Sequence, residues 1–337
     1  MGSFTLTATA VSALPDDSLH PLRMFARRLD HLVRVITEVP AAVLVILEVL
    51  ILLANVIFRY ALQSPLIWGD ELAALLFIWL SMIGAVIALR RGEHLRLTTI
   101  VGNMSPGRQR FFDTFGHVVV LTFMLCLLAP AFEYAKEEWV ITTLALEIPH
   151  SIRVSSVLFG AALMLLTGVS RLLRSARLGD FLGSSGIVCG TAMLLWLMAP
   201  LLVSLGTWNL AVFFLLGVTS LVTIGIPIMT AFGLATLSYL SFATKTPAIV
   251  MVGRLDEGMS NPILLAVPLF VFLGALIEAM GMAEAMIRFL ATLVGHFRGG
   301  MSYVLVGAMY LVSGISGSKT ADMAAVAPAP TTWITAT

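Results

Sequence analysis

The sequence predicts an all-α polytopic integral membrane protein: about eight transmembrane helices, amphipathic interfacial helices and a partial re-entrant hairpin. Three observations carry this reading. The 337 residues are 59% hydrophobic and only 12% charged, about half the charge of a soluble domain. The charges are clustered, and residues 181–244 contain no Asp, Glu, Lys or Arg. As one helix that run would be about 96 Å long at ~1.5 Å per residue. The hydrocarbon core is about 30 Å thick, so the run must fold back on itself within the lipid bilayer. A β-barrel would instead show short alternating segments. A net charge of +1 gives no basis for nucleic-acid binding. Cys126 and Cys189 sit inside apolar stretches and read as small buried residues rather than a disulfide or metal site.

Residues 1–20 are rich in Ser, Thr and Ala, lack a long apolar core and read as a disordered tail, not a signal peptide. Residues 21–38 carry Arg23, Arg27, Arg28 and Arg34 with Leu22, Phe25, Leu29, Leu32, Val33 and Ile36 at helical spacing. That spacing predicts an interfacial helix with a basic, cytoplasmic face. Span 1 follows over 40–60, with Glu48 and Asn55 on one face as helix–helix contacts. Asp70 and Glu71 open span 2, where negative charge suits a helix N-terminus. Trp68 and Trp79 suit an interface or subunit packing. The span ends at Leu89, before the basic cluster Arg90, Arg91, His94 and Arg96. Span 3 covers 114–132, after a break at Pro106-Gly107. A loop with Lys136, Glu137, Glu138 and Trp139 follows, poor in basic residues as expected outside. Span 4 covers 152–170 and returns to Arg171, Arg174 and Arg177. Residues 21–177 thus form a four-span module with both ends in the cytoplasm.

Gly179–Gly186 reads as a Gly/Ser linker, and span 5 (187–205) crosses alone; together they make a connecting region, 178–206. Span 6 (209–224) ends at Gly225-Ile226-Pro227, where proline removes a helix donor and predicts a break. Span 7 covers 228–243, an amphipathic or loop segment covers 245–261, and span 8 covers 262–280. Residues 282–298 are amphipathic, and an apolar run follows over 301–312.

Ser313-Gly314-Ile315-Ser316-Gly317-Ser318-Lys319-Thr320-Ala321-Asp322 then interrupts the apolar pattern. In lipid, a break that frees backbone groups is tolerated only where protein buries it or it lines a cavity. Broken helices of this kind hold substrates and ions in transporters. Past Ala327 the chain runs into Pro328-Ala329-Pro330 and an uncharged, Thr-rich end. A second hairpin arm would need about ten more residues, so the region 207–337 is expected to be truncated.

Two parts of the chain resemble the membrane subunits of tripartite ATP-independent periplasmic (TRAP) transporters. Phe58-Arg59-Tyr60, Ser64-Pro65-Leu66, Trp68-Gly69-Asp70-Glu71, Trp79, Gly84-Ala85 and Leu89-Arg90-Arg91-Gly92-Glu93-His94 are similar to the signature of the small, four-helix subunit. Gly225-Ile226-Pro227, Pro268-Leu269-Phe270, Gly274, Gly295-His296-Phe297-Arg298-Gly299-Gly300, Ser313–Ser318 and Ala321-Asp322 resemble the first part of the large subunit. The lone span 5 fits fused members, in which an extra helix joins the two. The resemblance implies a bacterial inner (cytoplasmic) membrane protein with a cytoplasmic N-terminus. It implies sodium-driven symport of a small carboxylate (dicarboxylate, keto acid or sugar acid), delivered by a periplasmic substrate-binding protein and moved by an elevator-like motion. It further implies a sodium- and substrate-binding hairpin at Ser313, Gly314, Ser316, Gly317, Ser318 and Asp322, with Na⁺ as coupling ion and no other cofactor or metal. The family's large subunit is longer, with a second, inverted half; no second Gly-x-Ser-Gly-Ser break occurs here. A chain truncated in this way is expected to be inactive alone.

Two other readings compete. Gly314-Ile315-Ser316-Gly317 matches the Gly-x-Ser-Gly of intramembrane serine proteases, which need a histidine base on a later helix. The last histidine, His296, precedes the serine, so no enzyme is expected. His20, His31, His94, His117, His150 and His296 are too dispersed to suggest a metal site. The other reading is a docking scaffold without transport activity, built on the four-span module.

Overall fold

The structure is a computed structural model that describes residues 20–92, 99–175 and 178–294, together with 300, 302–304, 306, 307 and 310. The polar break at 313–322, the tail 1–19 and the Thr-rich end lie outside the described residues. Among the described residues the chain is helical, with a single isolated β-bridge between Thr142 and Pro149. In order the helices are α1 (His20–Tyr60), α2 (Ile67–Arg91), α3 (Thr99–Gly102), α4 (Pro106–Glu137), α5 (Ser151–Ser175), α6 (Leu178–Leu197) and α7 (Ala199–Ser204). They continue with α8 (Trp208–Leu210), a π-helical stretch (Ala211–Gly217), α9 (Val218–Thr223), α10 (Ile228–Ala243) and α11 (Ile249–Met259). Last come α12 (Pro262–Leu265), α13 (Val267–Ala279) and α14 (Met282–Val294).

Among the described residues five helices are long and apolar enough to cross a membrane: Arg28–Tyr60, α2, α4, Ser151–Arg174 and α6. A sixth candidate, Ile249–Met259 with Pro262–Ile277, is bent by 50°. The remaining expected spans, 209–224 and 228–243, form apolar helices over Trp208–Thr223 and Ile228–Ala243. At ~1.5 Å per residue each reaches about 24 Å, short of a straight crossing. Two boundaries and one burial differ from expectation. The basic stretch 21–38 and span 1 are one continuous helix of 41 residues with Pro40 inside it. Proline removes one backbone donor, which membrane helices accommodate more readily than soluble ones. Gly179–Gly186 is helix rather than linker: small residues there permit close packing, with Ser184 fully buried and Gly183 facing the Phe111 ring. Cys126 and Cys189 are free thiols on exposed helix faces, not buried residues.

By packing, the described chain divides into two units. The first takes residues up to Ile36, Leu89–Leu125 and Leu163–Ala243. Its core joins α4 to the segment after α7. Phe115, Val119 and Ile226 cluster with Val188, Leu221, Ile224 and Leu234. Ile226 lies in the break between α9 and α10, fully buried, after Gly225 at φ 92°. That left-handed conformation suits glycine, and Pro227 can open α10 because the first helical N–H has no partner anyway. Leu202, Phe213 and Ala243 form a second cluster with Tyr239, and Val218, Ala231 and Ala235 a third. A cavity of about 50 Å³ opens beside the break, lined by Leu89, Asp113, His117, Arg171, Gly225 and Pro227 among others. Arg171 donates to the Arg90 carbonyl at 2.6 Å, closing the C-terminal end of α2. His117 Nδ1 donates to the Asp113 carbonyl at 2.6 Å, which leaves Nε2 to accept from Arg171 at 3.5 Å.

The second unit takes Thr37–Ala88, Cys126–Ala162 and the residues from Thr244 on. There half-buried Trp79 links α2 to α5. Its indole N–H donates to the Ile152 carbonyl at 3.2 Å and its ring packs on Phe159, 5.6 Å between centroids. Gly160 lets α5 approach Met82 of α2.

One glycine contact in the first unit measures how tightly α4 meets α10. A Cβ on Gly233 would lie 2.3 Å from Cζ of Phe123, itself buried. Gly233→Ala is therefore expected to destabilise the solubilised protein by about 1–3 kcal/mol, read as a lower thermal midpoint. Phe123→Leu in the same chain is expected to restore part of the loss. Gly190→Ala, where an added Cβ meets nothing within 4 Å, is expected to leave the midpoint unchanged or raise it.

Candidate functional site

The ionic residues of a membrane protein report on function, because each must be paired or solvated. In the second unit they gather around the ends of α1 and α4, the starts of α2 and α5 and the last turn of α11. Asp70, in the first turn of α2, accepts from Arg59 at 3.0 Å and from the side-chain amide of Asn55. Asn55 is buried; its amide nitrogen is met by another helix, as its place inside span 1 leads one to expect, while its Oδ1 meets no donor among the described residues. Gly69 is the close-approach point, where an added Cβ would meet Asn55 at 3.2 Å.

Glu71 has a different task. Its carboxylate accepts three backbone N–H groups from the loop between α4 and α5: Leu144 at 3.0 Å, Ala145 at 3.0 Å and Leu146 at 2.7 Å. Consecutive N–H groups converging on one anion form a backbone nest. The loop is closed by the Thr142–Pro149 bridge and turns at Glu147, whose φ is 53°. A cavity of about 170 Å³ lies beneath it, lined by Glu71, Thr142, Thr143, His150 and Arg153 among others. At its margin His150 Nδ1 contacts Glu138 at 2.6 Å, and the Tyr134 hydroxyl lies near the same carboxylate.

Arg153 links the two sequence regions. It donates to Asp256 Oδ2 at 2.5 Å, and the Asp256 side chain is only 2% exposed. Arg153 opens α5 of the four-span module; Asp256 lies on α11, beyond the connecting helix. Tyr134 packs against Gly253 one turn earlier on α11. Removing one member of a buried pair leaves an uncompensated charge, which costs about 3–5 kcal/mol.

Residues 48–178 match the DctQ component of the tripartite ATP-independent periplasmic transporters, and residues 214–335 match the DctM component. The chain belongs to this transporter family. It carries small- and large-subunit regions in one polypeptide and is a multi-pass integral membrane protein. It is similar to the sialic acid TRAP transporter permease of Haemophilus influenzae, 27% identical over 81% of this chain and 46% of the relative. It is also similar to the isethionate TRAP transporter permease of Oleidesulfovibrio alaskensis, 26% identical over 77% of this chain and 41% of the relative. The 2,3-diketo-L-gulonate TRAP transporter large permease of Escherichia coli is 35% identical over 32% of this chain and 25% of the relative. The chain spans less than half the length of these permeases.

Against this family frame, the Arg153–Asp256 pair joins the small-subunit region to the large-subunit region within one chain. The expected hairpin residues Ser313, Gly314, Ser316, Gly317, Ser318 and Asp322 lie outside the described residues. Sequence reading placed Asp256 and Glu138 only in polar segments and set His150 aside as dispersed. The available signal was the rarity of charge: Arg153 at the mouth of an apolar span requires a partner, but the sequence does not say which acid, 103 residues away, supplies it.

Two expected outcomes follow from this geometry. Arg153→Met strands Asp256 and is expected to lower the thermal midpoint sharply, whereas Arg153→Met with Asp256→Leu recovers most of it. Equal damage from the single and double variants would show that the ion pair is not what holds α5 to α11. Glu71→Ala removes the acceptor for three amides, and hydrogen exchange should then speed up at Leu144, Ala145 and Leu146 by about 10-fold or more, with the core of α2 unchanged.

Proposed function

We propose that this chain is the fused membrane component of a sodium-driven symporter that imports a small organic anion delivered by a periplasmic substrate-binding protein. The observation that carries the reading is the joined architecture. A small-subunit region and a large-subunit region of one transporter family lie in order on one chain, and a buried Arg153–Asp256 pair ties them. The proposed setting is the bacterial inner membrane with the N-terminus in the cytoplasm. Arg23, Arg27 and Arg28 at one end, and Arg90, Arg91, Arg171 and Arg174 at the connections on the same side of the spans, support that orientation. The module end carrying Asp70, Glu71 and the 138–150 loop then faces the periplasm.

The substrate class rests on the relatives. Those named act on sialic acid, isethionate and 2,3-diketo-L-gulonate, and another is a C4-dicarboxylate permease. All are small anions, and a small carboxylate is the reading adopted for this chain. Sodium is the proposed coupling ion and Ser313–Asp322 its hairpin. A hard monovalent cation is best held by several neutral oxygens, which the hydroxyls of Ser313, Ser316 and Ser318 and the carbonyls of a broken helix supply. No catalytic role is assigned.

The test is uptake by proteoliposomes holding the chain either alone, where no uptake is expected, or together with a large permease subunit of the same family, with the periplasmic binding protein and labelled anion outside. Uptake is expected to require an inward sodium gradient. Ser316→Ala with Ser318→Ala is expected to raise the sodium concentration for half-maximal rate several-fold. Uptake that ignores sodium would overturn the coupling. Capture of the binding protein without uptake would favour the docking scaffold instead.

A further inference from the structure

The loop between α4 and α5 displays apolar side chains in an unusual way. Leu144 is 98% exposed, Val140 86% and Trp139 65%, with Ile141 also exposed. A water-facing loop normally presents polar residues at its tip, and clustered exposed apolar groups mark a surface that something covers. The loop is held in place by the Glu71 nest and the Thr142–Pro149 bridge, so the tip cannot fold its apolar groups away.

Three features point to what covers it. The first is depth. Leu144 is bonded to Glu71, which lies only four residues into α2, about 6 Å along the helix from its start. The tip therefore lies beside the first turns of a membrane-crossing helix rather than beyond its end. The second is continuity. Ile67 and Trp68 on that same first turn are exposed, as are Tyr60 and Leu62 in the adjoining connection. Exposed apolar and aromatic groups thus extend from the flank of the spans onto both connections. The third is charge. Between Trp139 and Pro149 the only ionisable residue is Glu147. Tryptophan and tyrosine favour the headgroup level of a bilayer.

We propose that the 139–144 loop is a membrane-interface anchor, with Trp139, Val140, Ile141 and Leu144 seated at the headgroup–acyl boundary. Glu71 is its positioning residue: it neutralises three backbone N–H groups that the interface would otherwise leave poorly solvated. The anchor fixes the small-subunit region against the bilayer at the end where the Arg153–Asp256 pair holds α11. The α11 segment is then tied, through α5, to a part of the molecule moored in lipid.

Depth measurement tests this on the full chain. Leu144→Cys and, separately, Val140→Cys are made with Cys126→Ser and Cys189→Ser, nitroxide-labelled and placed in phosphatidylethanolamine–phosphatidylglycerol nanodiscs. Both positions are highly exposed, so neither change touches the core. At both labels, collisions with a water-soluble nickel chelate are expected to be largely lost while collisions with oxygen are retained. Free access of the chelate at both labels would overturn the anchor. So would protection that arises only on adding the soluble binding protein, because the loop would then be a protein-docking surface.

Discussion

A charged group buried in this chain has to be paired or neutralised, and the Arg153–Asp256 pair is where that constraint shapes the molecule most. Asp256 is almost fully buried. A carboxylate in that setting costs several kcal/mol unless a cation meets it. The cation comes from the start of α5, across the boundary between the two subunit-like regions. Packing alone could hold α5 and α11 together in several registers. An ion pair with a 2.5 Å contact admits few, because a slide of one helical turn, about 5.4 Å, separates the charges. The pair selects a register as well as contributing to stability.

The same constraint explains the different uses of neighbouring acids. Asp70 and Glu71 are adjacent at the start of α2, where both would favour the helix N-terminus. Asp70 turns to α1 and takes Arg59 and Asn55. Glu71 turns to the α4–α5 loop and takes backbone amides. Between them they tie α1, α2 and the following loop with five donors and no buried cation. Glu48, one heptad before Asn55, is also fully buried, and neither of its carboxylate oxygens meets a hydrogen-bond donor among the described residues. The two polar groups read from sequence as one face thus have different fates. Asn55 is bonded across helices, whereas Glu48 is enclosed by packing.

Composition made the fold class legible, because a chain with 12% charge and a long uncharged run has few alternatives. The break at Gly225-Ile226-Pro227 was legible too: proline and a positive-φ glycine are local requirements, and the structure places both there. Boundaries set by packing were not. Pro40 and the Gly/Ser run 179–186 carry breaker signals, yet both lie within helices. Breaker propensity is a local cost of about 1–3 kcal/mol, which burial of Ser184 and contact of Gly183 with Phe111 can offset. Cys126 and Cys189 failed for a related reason. An apolar helix in lipid has no obligatory inside, so apolarity does not say which face is buried. The pairings of Arg153, Glu138 and His150 are long-range, and nothing in the spacing of one sequence specifies them.

The packing of the first unit complements the ionic tie of the second. There α4 meets α10 through Phe123 on Gly233 and meets the α9–α10 break through the apolar contacts of Phe115, Val119 and Ile226. Phe123 leaves no space for a methyl group, and Ile226 is fully enclosed. Both contacts join the small-subunit region to the first helices of the large-subunit region. The chain therefore holds its two regions together by shape in one unit and by charge in the other. Shape complementarity is lost by small displacements, since dispersion falls off over less than an ångström, whereas a charge pair retains attraction over several.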